Sequence, residues 1–324
     1  MSWHFDFDVS DGVATITFNR PDKLNALTFE AYADLRELIP QLPHRGDARV
    51  LVITGEGRGF CSGGDVEEII GELVKREAAQ LREFTRMTGA VVKGLRELPM
   101  PVIAAVNGIA AGAGAVLAAA SDLRLLAESA SFRFLFTRVG ISGGDMGICW
   151  LLPRLVGIGR ATEILLLGDK ITAGEALAMG LANRVVPDSE LDAAVAQLAG
   201  RLREVAPWGL AMTKEMLNRS ASMDYSAAIE MEAFTQSLMM TAQDFKEFHA
   251  GFTGKRDRKP VNYALAAYYE AYAAAANLTA VSKLSGEMPK TQLYRDQLPD
   301  PPKRWKDRQK HSSFVQQLRL IDTV

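Results

Sequence analysis

The chain has 324 residues, 48% of them apolar and 23% charged, with a formal net charge of −2 at pH 7. This balance fits a folded protein with one large core plus an appendage, and it lacks the basic excess of a protein held on nucleic acid by phosphate contacts. Two cysteines and four scattered histidines supply neither a disulfide framework nor ligand spacing for a metal, so no metal site is expected.

The opening MSWHFDFDVSDG is acidic and lacks the basic-then-apolar plan of an export signal. The longest apolar run, Val102–Ala120, is interrupted by Asn107 and by glycines. The expectation is a cytoplasmic protein without membrane contact. Val13–Phe18 alternates as a strand after an Asp11-Gly12 turn, and Asn19-Arg20-Pro21-Asp22 is turn chemistry. Thr28 caps an amphipathic helix running to about Leu42. Val50–Thr54 is a short buried strand, followed by a glycine-rich loop over Gly55–Gly64. Helical periodicity then extends from Asp65 to Leu98, weakened at Gly71, Gly89 and Gly94, until Pro99 and Pro101 stop it.

The most informative stretch is Pro101–Asp122, PVIAAVNGIAAGAGAVLAAASD. A strand over Val102–Val106 turns at Asn107-Gly108 and passes through Gly112-Ala113-Gly114 into an alanine-rich helix ending near Ser121. A helix start leaves backbone N–H groups without intrahelical partners. Those groups carry the positive end of the helix dipole, and small side chains let a ligand come close. Gly59–Val66, GFCSGGDV, offers the same chemistry: a strand, a glycine turn and a helix from about Asp65. Two such donors aimed at one oxygen would form an oxyanion hole.

Further on, Leu123–Leu126 and Ser131–Phe136 read as strands, and Gly140–Gly147 (GISGGDMG) is a second glycine-rich loop. Trp150–Val156 begins a helix. Thr172 caps Ala173–Met179, ended by Gly180. Ser189–Val205, Ala211–Leu217 and Tyr225–Glu247 carry helical patterns. Strand pairs preceding each helix suggest stacked ββα turns rather than a plain doubly wound sheet. Composition shifts after Pro260: Tyr263–Leu284 is an Ala/Tyr-rich helix pattern, and the chain from Met288 on is rich in Pro, Lys, Arg and Gln, with Lys303–Lys310 read as a solvated face. This divides the chain into 1–200, a ββα core; 201–260, a C-terminal helical region; and 261–324, an extra helix and tail.

Several motifs stand in a fixed order: Asn19–Leu27 (NRPDKLNAL), Gly59–Asp65 (GFCSGGD), Ala105–Gly114 (AVNGIAAGAG), Leu151–Gly157 (LLPRLVG) and Gly168–Leu181 (GDKITAGEALAMGL). In this order they resemble the crotonase, or enoyl-CoA hydratase/isomerase, superfamily from about Asp11 to Lys259. The resemblance implies an α/β spiral of ββα units with a C-terminal helical region that builds trimers, often paired into hexamers. It implies an acyl-CoA substrate, coenzyme A entering as part of that substrate and no other cofactor, and fatty, aromatic or alicyclic acid degradation. By it, the N–H groups of Gly64 and Ala113 form the oxyanion hole. Lys23, Leu24, Ala26, Ser62, Asp65 and Val66 match positions lining the coenzyme A site, and Phe252 and Lys255 match a C-terminal element that reaches it, typically from a neighbouring subunit.

The usual hydratase places two glutamates where this chain has Val116 and, near the SFRFLF strand, Phe136. The remaining carboxylate is Asp145, expected beside Phe134, Phe136 and Trp150 with a raised pKa as general acid/base. Its alternative is a helix N-cap for the segment at Ile148. Cys61 and Cys149 are expected as small buried hydrophobes, and Glu67 and Glu68 as first-turn residues favoured by the helix dipole. The expected reaction is hydration/dehydration or a double-bond shift. The alternatives are C–C or C–halogen cleavage or thioester hydrolysis through Asp145, and, in another class, a non-catalytic RNA-associated protein.

Overall fold

A computed structural model describes residues 3–254. The expected Tyr263–Leu284 helix, the 261–324 tail and Lys255 lie outside them. In chain order the elements are β1 (Asp6–Ser10), β2 (Val13–Phe18), α1 (Phe29–Arg45), β3 (Val50–Gly55), β4 (Gly59–Cys61), a π turn over Val66–Ile70, α2 (Gly71–Leu73) and α3 (Ala78–Glu97). Then follow β5 (Val102–Val106), β6 (Ile109–Ala111), α4 (Ala113–Ala120), β7 (Leu123–Ala127), β8 (Ser131–Arg133), α5 (Ile148–Val156), α6 (Ile158–Leu167), β9 (Lys170–Thr172) and α7 (Ala173–Ala178). The chain closes with β10 (Arg184–Val186), α8 (Leu191–Arg203), α9 (Pro207–Ser220), α10 (Tyr225–Thr241) and α11 (Gln243–Thr253).

From β3 to β8, successive strands alternate between two sheets. One sheet has the order β1-β2-β3-β5-β7-β10 and the other β4-β6-β8-β9. All pairings are parallel except β1–β2 and β8–β9. The pairs β3/β4, β5/β6 and β7/β8 are thus stacked turns of a spiral, as the strand-pair pattern suggests. β5 is buried along its whole length, which explains an unbroken apolar run where a one-sided sheet would alternate.

Four expectations are corrected. The pattern over 65–98 is not one helix: the π turn and α2 end before the exposed 75–77 segment, and Glu77 opens α3 with a capping box. The 225–247 pattern breaks at Ala242, a buried extended residue between α10 and α11. The strand expected over 131–136 stops at Arg133, after which the chain turns into a 3₁₀ segment, Thr137–Val139. Cys149 is exposed, whereas Cys61 is buried as expected. Among the described residues, no helix is long and apolar enough to cross a membrane.

α4 is the central helix, and every one of its residues is buried. Such a helix has no water to satisfy its C-terminal carbonyls. Arg124, only 4% exposed, does this: its guanidinium donates to the carbonyls of Ala118, Ala119 and Ser121, and its Nε to Leu181 at 2.6 Å. Burial holds its pKa down at about 10, still a cation at neutral pH. Arg124→Met should therefore strand several carbonyls and cost about 3 kcal/mol or more in urea unfolding. A loss below about 1 kcal/mol would show that the helix end is satisfied another way.

The C-terminal helices α9 and α10 have their own small core of Ala211, Met212 and Met216, with Trp208, Met231 and Met239 against it. Lys214 ties α9 to the spiral: its ammonium lies 2.7 Å from Asp122 and donates to the carbonyls of Leu95 and Met100.

Candidate active site

The site begins with two segments knitted edge to edge. The 20–27 turn runs beside the 59–65 loop: Ser62 N donates to Leu24 O (2.9 Å), Leu27 N to Gly63 O (2.8 Å) and Asp65 N to Leu27 O (2.9 Å). In this parallel bridge Leu27 uses the groups flanking Gly64. The N–H of Gly64 itself therefore points to the opposite side, away from Leu27. On that side lies the start of α4. A Cβ on Gly63 would stand 3.1 Å from Ala111 O and 3.4 Å from Ala113 N, and a Cβ on Gly112 would stand 3.8 Å from the Cα of Gly63.

Ala113 is the first residue of α4, so its N–H has no partner within the helix. Gly112 turns the chain into the helix with φ 50° and ψ −122°, a conformation that excludes most side chains. Gly112 N is held by Arg133 O at 2.9 Å, so the turn is pinned from β8 as well. The structure thus brings the Gly63-Gly64 and Gly112-Ala113 backbones into contact, each at the end of a buried strand of the second sheet.

Asn25 locks this arrangement and was missed in the sequence reading. It is 1% exposed with φ 58°, and its Nδ2 donates to the carbonyls of Glu56 (2.9 Å) and Gly59 (2.7 Å) while its Oδ1 accepts from Arg20 N. Its signal was available, because Asn is among the few residues that adopt left-handed turns and bond backbone locally. Arg20, also passed over as turn chemistry, donates to Ala26 O at 3.0 Å and pairs with Asp65 (3.2 Å) and Glu68 (2.7 Å).

Asp65 is 3% exposed and caps the π turn by accepting from the N–H groups of Glu67 and Glu68. Those bonds, with Arg20 and Lys23 nearby, hold its carboxyl below the usual range despite its burial. Lys23 is exposed and pairs with Glu67 at 3.1 Å. Ala26 is buried, Leu24 has φ 51° and closes a 3₁₀ turn over Pro21–Lys23, and Ser62 Oγ donates to Lys23 O. Val66 is 73% exposed at the head of the π turn. Six of the residues matched to coenzyme A positions thus form one continuous rim, whereas Phe252 stands apart on α11, 75% exposed at the end of a stack with Phe248 and Phe245.

Asp145 sits half-buried in the loop before α5. Burial raises its carboxyl pKa, opposed by the N–H of Met146, which donates to Oδ1 at 2.9 Å. It does not cap α5: the N-cap is Gly147, with no side-chain bond, and Met146 and Gly147 are consecutive left-handed residues that turn the loop. Val116 and Phe134 are enclosed in the main core, and Phe136 is nearly so, as Ala113 is. Trp150 is turned outward, with the Arg154 guanidinium 3.9 Å over its ring. Surface clefts of about 440 and 400 Å³ occur elsewhere, one of them against Arg20, Thr28 and Glu68, and neither reaches Ala113 or Asp145. Among the described residues no acidic, histidine and cysteine cluster could hold a metal.

Residues 8–260 match the family model described as enoyl-CoA hydratase/isomerase. The chain belongs to the enoyl-CoA hydratase/isomerase family. It is 36% identical over 248 residues to an Escherichia coli 1,2-epoxyphenylacetyl-CoA isomerase, covering 76% of this chain and 94% of that one. It is 32% identical over 245 residues to a short-chain-enoyl-CoA hydratase of Clostridium acetobutylicum, covering 75% and 92%. Among solved structures, an enoyl-CoA hydratase of Bacillus anthracis superimposes with a TM-score of 0.75 at 30% identity, over 80% of this chain and all of that one. A Streptomyces coelicolor A3(2) protein named "putative enoyl-CoA hydratase" does so with a TM-score of 0.79 at 53% identity, over 81% and 96%. The ββα spiral is therefore the crotonase fold, and the chain is an enzyme of this family.

Proposed function

We propose that the protein converts an acyl-CoA thioester through an enolate, with the N–H groups of Gly64 and Ala113 on the thioester oxygen and Asp145 as the acid/base. The observation that carries this reading is the contact of the Gly63-Gly64 and Gly112-Ala113 backbones, which leaves two N–H groups without internal partners at one place. In the reaction the Asp145 carboxylate takes a proton from carbon next to the thioester. The C–H electron pair moves to form the enolate, and negative charge collects on the thioester oxygen. Two preorganised donors favour that charge, each by about 3–4 kcal/mol. Return of the proton from Asp145 to another carbon shifts the double bond. With an enoyl thioester the order is reversed: Asp145, starting ionised, takes a proton from water as the water oxygen bonds to the β-carbon, the C=C electron pair moves to form the enolate, and Asp145 then gives that proton to the α-carbon. Val116 and Phe136 carry no proton, so a single carboxylate serves both directions.

The 20–27 and 59–66 rim receives coenzyme A, and a homotrimer or dimer of trimers brings a neighbour's α11 to it. The exposed Phe245-Phe248-Phe252 stack supports the oligomer. The protein works in the cytoplasm with no cofactor beyond the coenzyme A of its substrate. The test is a panel of linear, branched, alicyclic and aromatic acyl- and enoyl-CoAs in D₂O, read by mass spectrometry. Deuterium at the α-carbon together with an isomerised or hydrated product is expected. No incorporation and no product across the panel would leave the non-catalytic reading, which the loss of both glutamates favours. A steeply salt-dependent RNA shift would then identify it.

A further inference from the structure

α10 carries more apolar surface than the described chain covers. Of its seventeen residues only Thr235 is buried. One side, through Met231 and Met239, meets the small core of α9. Another side holds Tyr225, Ile229, Ala233, Gln236 and Met240, all exposed, with Gln236 the one polar member. At 3.6 residues per turn these five fall within about 80° of the helix circumference, a single stripe along the whole of α10. Tyr225, at its start, is 81% exposed. Exposed Glu230 and Glu232 flank the stripe, and among the described residues neither has an ion-pair partner. A helix that is apolar on more than one side is ordinarily covered on more than one side, and a continuous exposed stripe marks a docking surface.

The described chain ends at Gly254, and residues 261–324 lie beyond the part that the family model matches. Their sequence has two parts of different character. Between Val261 and Ser282 the only charge is Glu270. Leu265, Tyr268, Tyr269, Tyr272 and Ala276 recur there at i, i+3, i+4, i+7 and i+11, the spacing of one helix face, and Glu270 falls outside it. A stretch this apolar needs cover as much as the α10 stripe does. From Lys283 on come nine Lys and Arg against five Asp and Glu, whereas residues 1–254 carry 24 against 32. The extension and the body to which it is attached thus bear opposite net charge, which favours their association.

We infer that residues 263–284 dock as a helix on the Tyr225–Met240 stripe of α10 in the same chain, with the apolar spacing of the segment laid against that stripe. Twenty-two residues make a helix of about 33 Å and the seventeen of α10 one of about 26 Å, so the segment spans the stripe. The connector, 254–262, contains Gly254 and Pro260, and its nine residues reach at most about 30 Å. α11 puts only about 17 Å between Gly254 and the end of α10, well inside that reach. A connection of this size is close to the usual length between packed helices, which favours the segment's own α10 over a more distant surface. The stack on α11 is left to the neighbouring subunit of the proposed oligomer. No step of the proposed reaction is involved.

The experiment replaces Tyr272 in the full chain by the photoreactive residue p-benzoylphenylalanine. After irradiation, adducts on peptides from 225–241 are expected, in a product that keeps the single-chain mass on a denaturing gel. The same adducts in a product of doubled mass would assign the stripe to a neighbouring copy's segment and overturn the own-chain placement. Adducts confined to other elements, or none, would overturn the docking altogether. Ile229→Glu puts a charge within the stripe at an exposed position, so the fold should stand. Added to the photoreactive chain, it should cut the yield of 225–241 adducts about fivefold or more. Hydrogen exchange read by mass spectrometry gives a second measure on the full chain without the probe. There Tyr268→Glu combined with Tyr272→Glu should speed exchange of the α10 amides about tenfold and leave those of α4 unchanged. Unaltered α10 exchange, or equal acceleration in α4, would overturn the inference.

Discussion

Asp145→Asn is expected to reduce turnover and α-deuterium exchange together, by roughly 10²–10⁴-fold, while coenzyme A thioester affinity changes little. The substitution keeps the size and the acceptor for Met146 N–H, so the loop before α5 should hold its shape. Exchange is the sharper readout because it needs only the donors and the base. The same variant has a stability signature of known sign. Burial raises the Asp145 pKa, so the folded protein binds this proton more tightly than the unfolded chain does. Its contribution to stability is present below the ordinary aspartate value and is lost as pH rises through the raised folded value. At neutral pH the ionised carboxylate is a net cost, and Asn should raise the melting temperature there. The gain should shrink as pH falls into the ordinary carboxylate range. A variant that is inactive and more stable at pH 7 marks a group retained for chemistry. Near-normal exchange, or a lower melting temperature at neutral pH, would refute the role or the electrostatic account respectively.

The strand–turn–helix at 101–122 was legible because its signals are local. Pro101 precedes β5, Gly112 has the positive φ that the turn demands, and the alanines are strong helix formers, so β5 and α4 fall where periodicity places them. β4 and β6 were not legible. Each is three residues long and sits inside what reads as a glycine loop, and only pairing with a strand some fifty residues away makes it a strand. The break after α2 was hidden for the opposite reason. Residues 74–77 contain neither Pro nor Gly, so nothing local interrupts the helical pattern. Ala242 breaks α10 from α11 with equal silence. At the proposed site, the turns at Gly63-Gly64 and Gly112-Ala113 were legible because glycines mark where two backbones come close.

A backbone donor cannot be deleted by changing its own side chain, so the hole is best tested through its packing, and Gly114→Ala should abolish most activity. A Cβ at Gly114 would stand 2.1 Å from Cys61 O, 2.7 Å from Cys61 Cβ and 2.8 Å from Cys61 C. These are atoms of a buried strand, not the end of a flexible side chain, so the start of α4 must move instead. Relief of such a clash takes a displacement of roughly 1 Å, and a misplacement of that size can cost about 10²-fold in rate. Loss of the Ala113 donor altogether would cost about 10²–10³-fold. The overpacking should also lower stability by about 1–3 kcal/mol, so activity must be counted per folded molecule, with the folded fraction taken from near-ultraviolet circular dichroism. The control is Gly89→Ala on α3, where an added Cβ meets nothing within 4 Å and helix propensity favours the change. That variant should keep full activity and melt at the same temperature or slightly higher. Should folded Gly114→Ala exchange α-protons at the unchanged protein's rate, the N–H of Ala113 is not holding the oxygen, because a helix start that has shifted this far could not still present it.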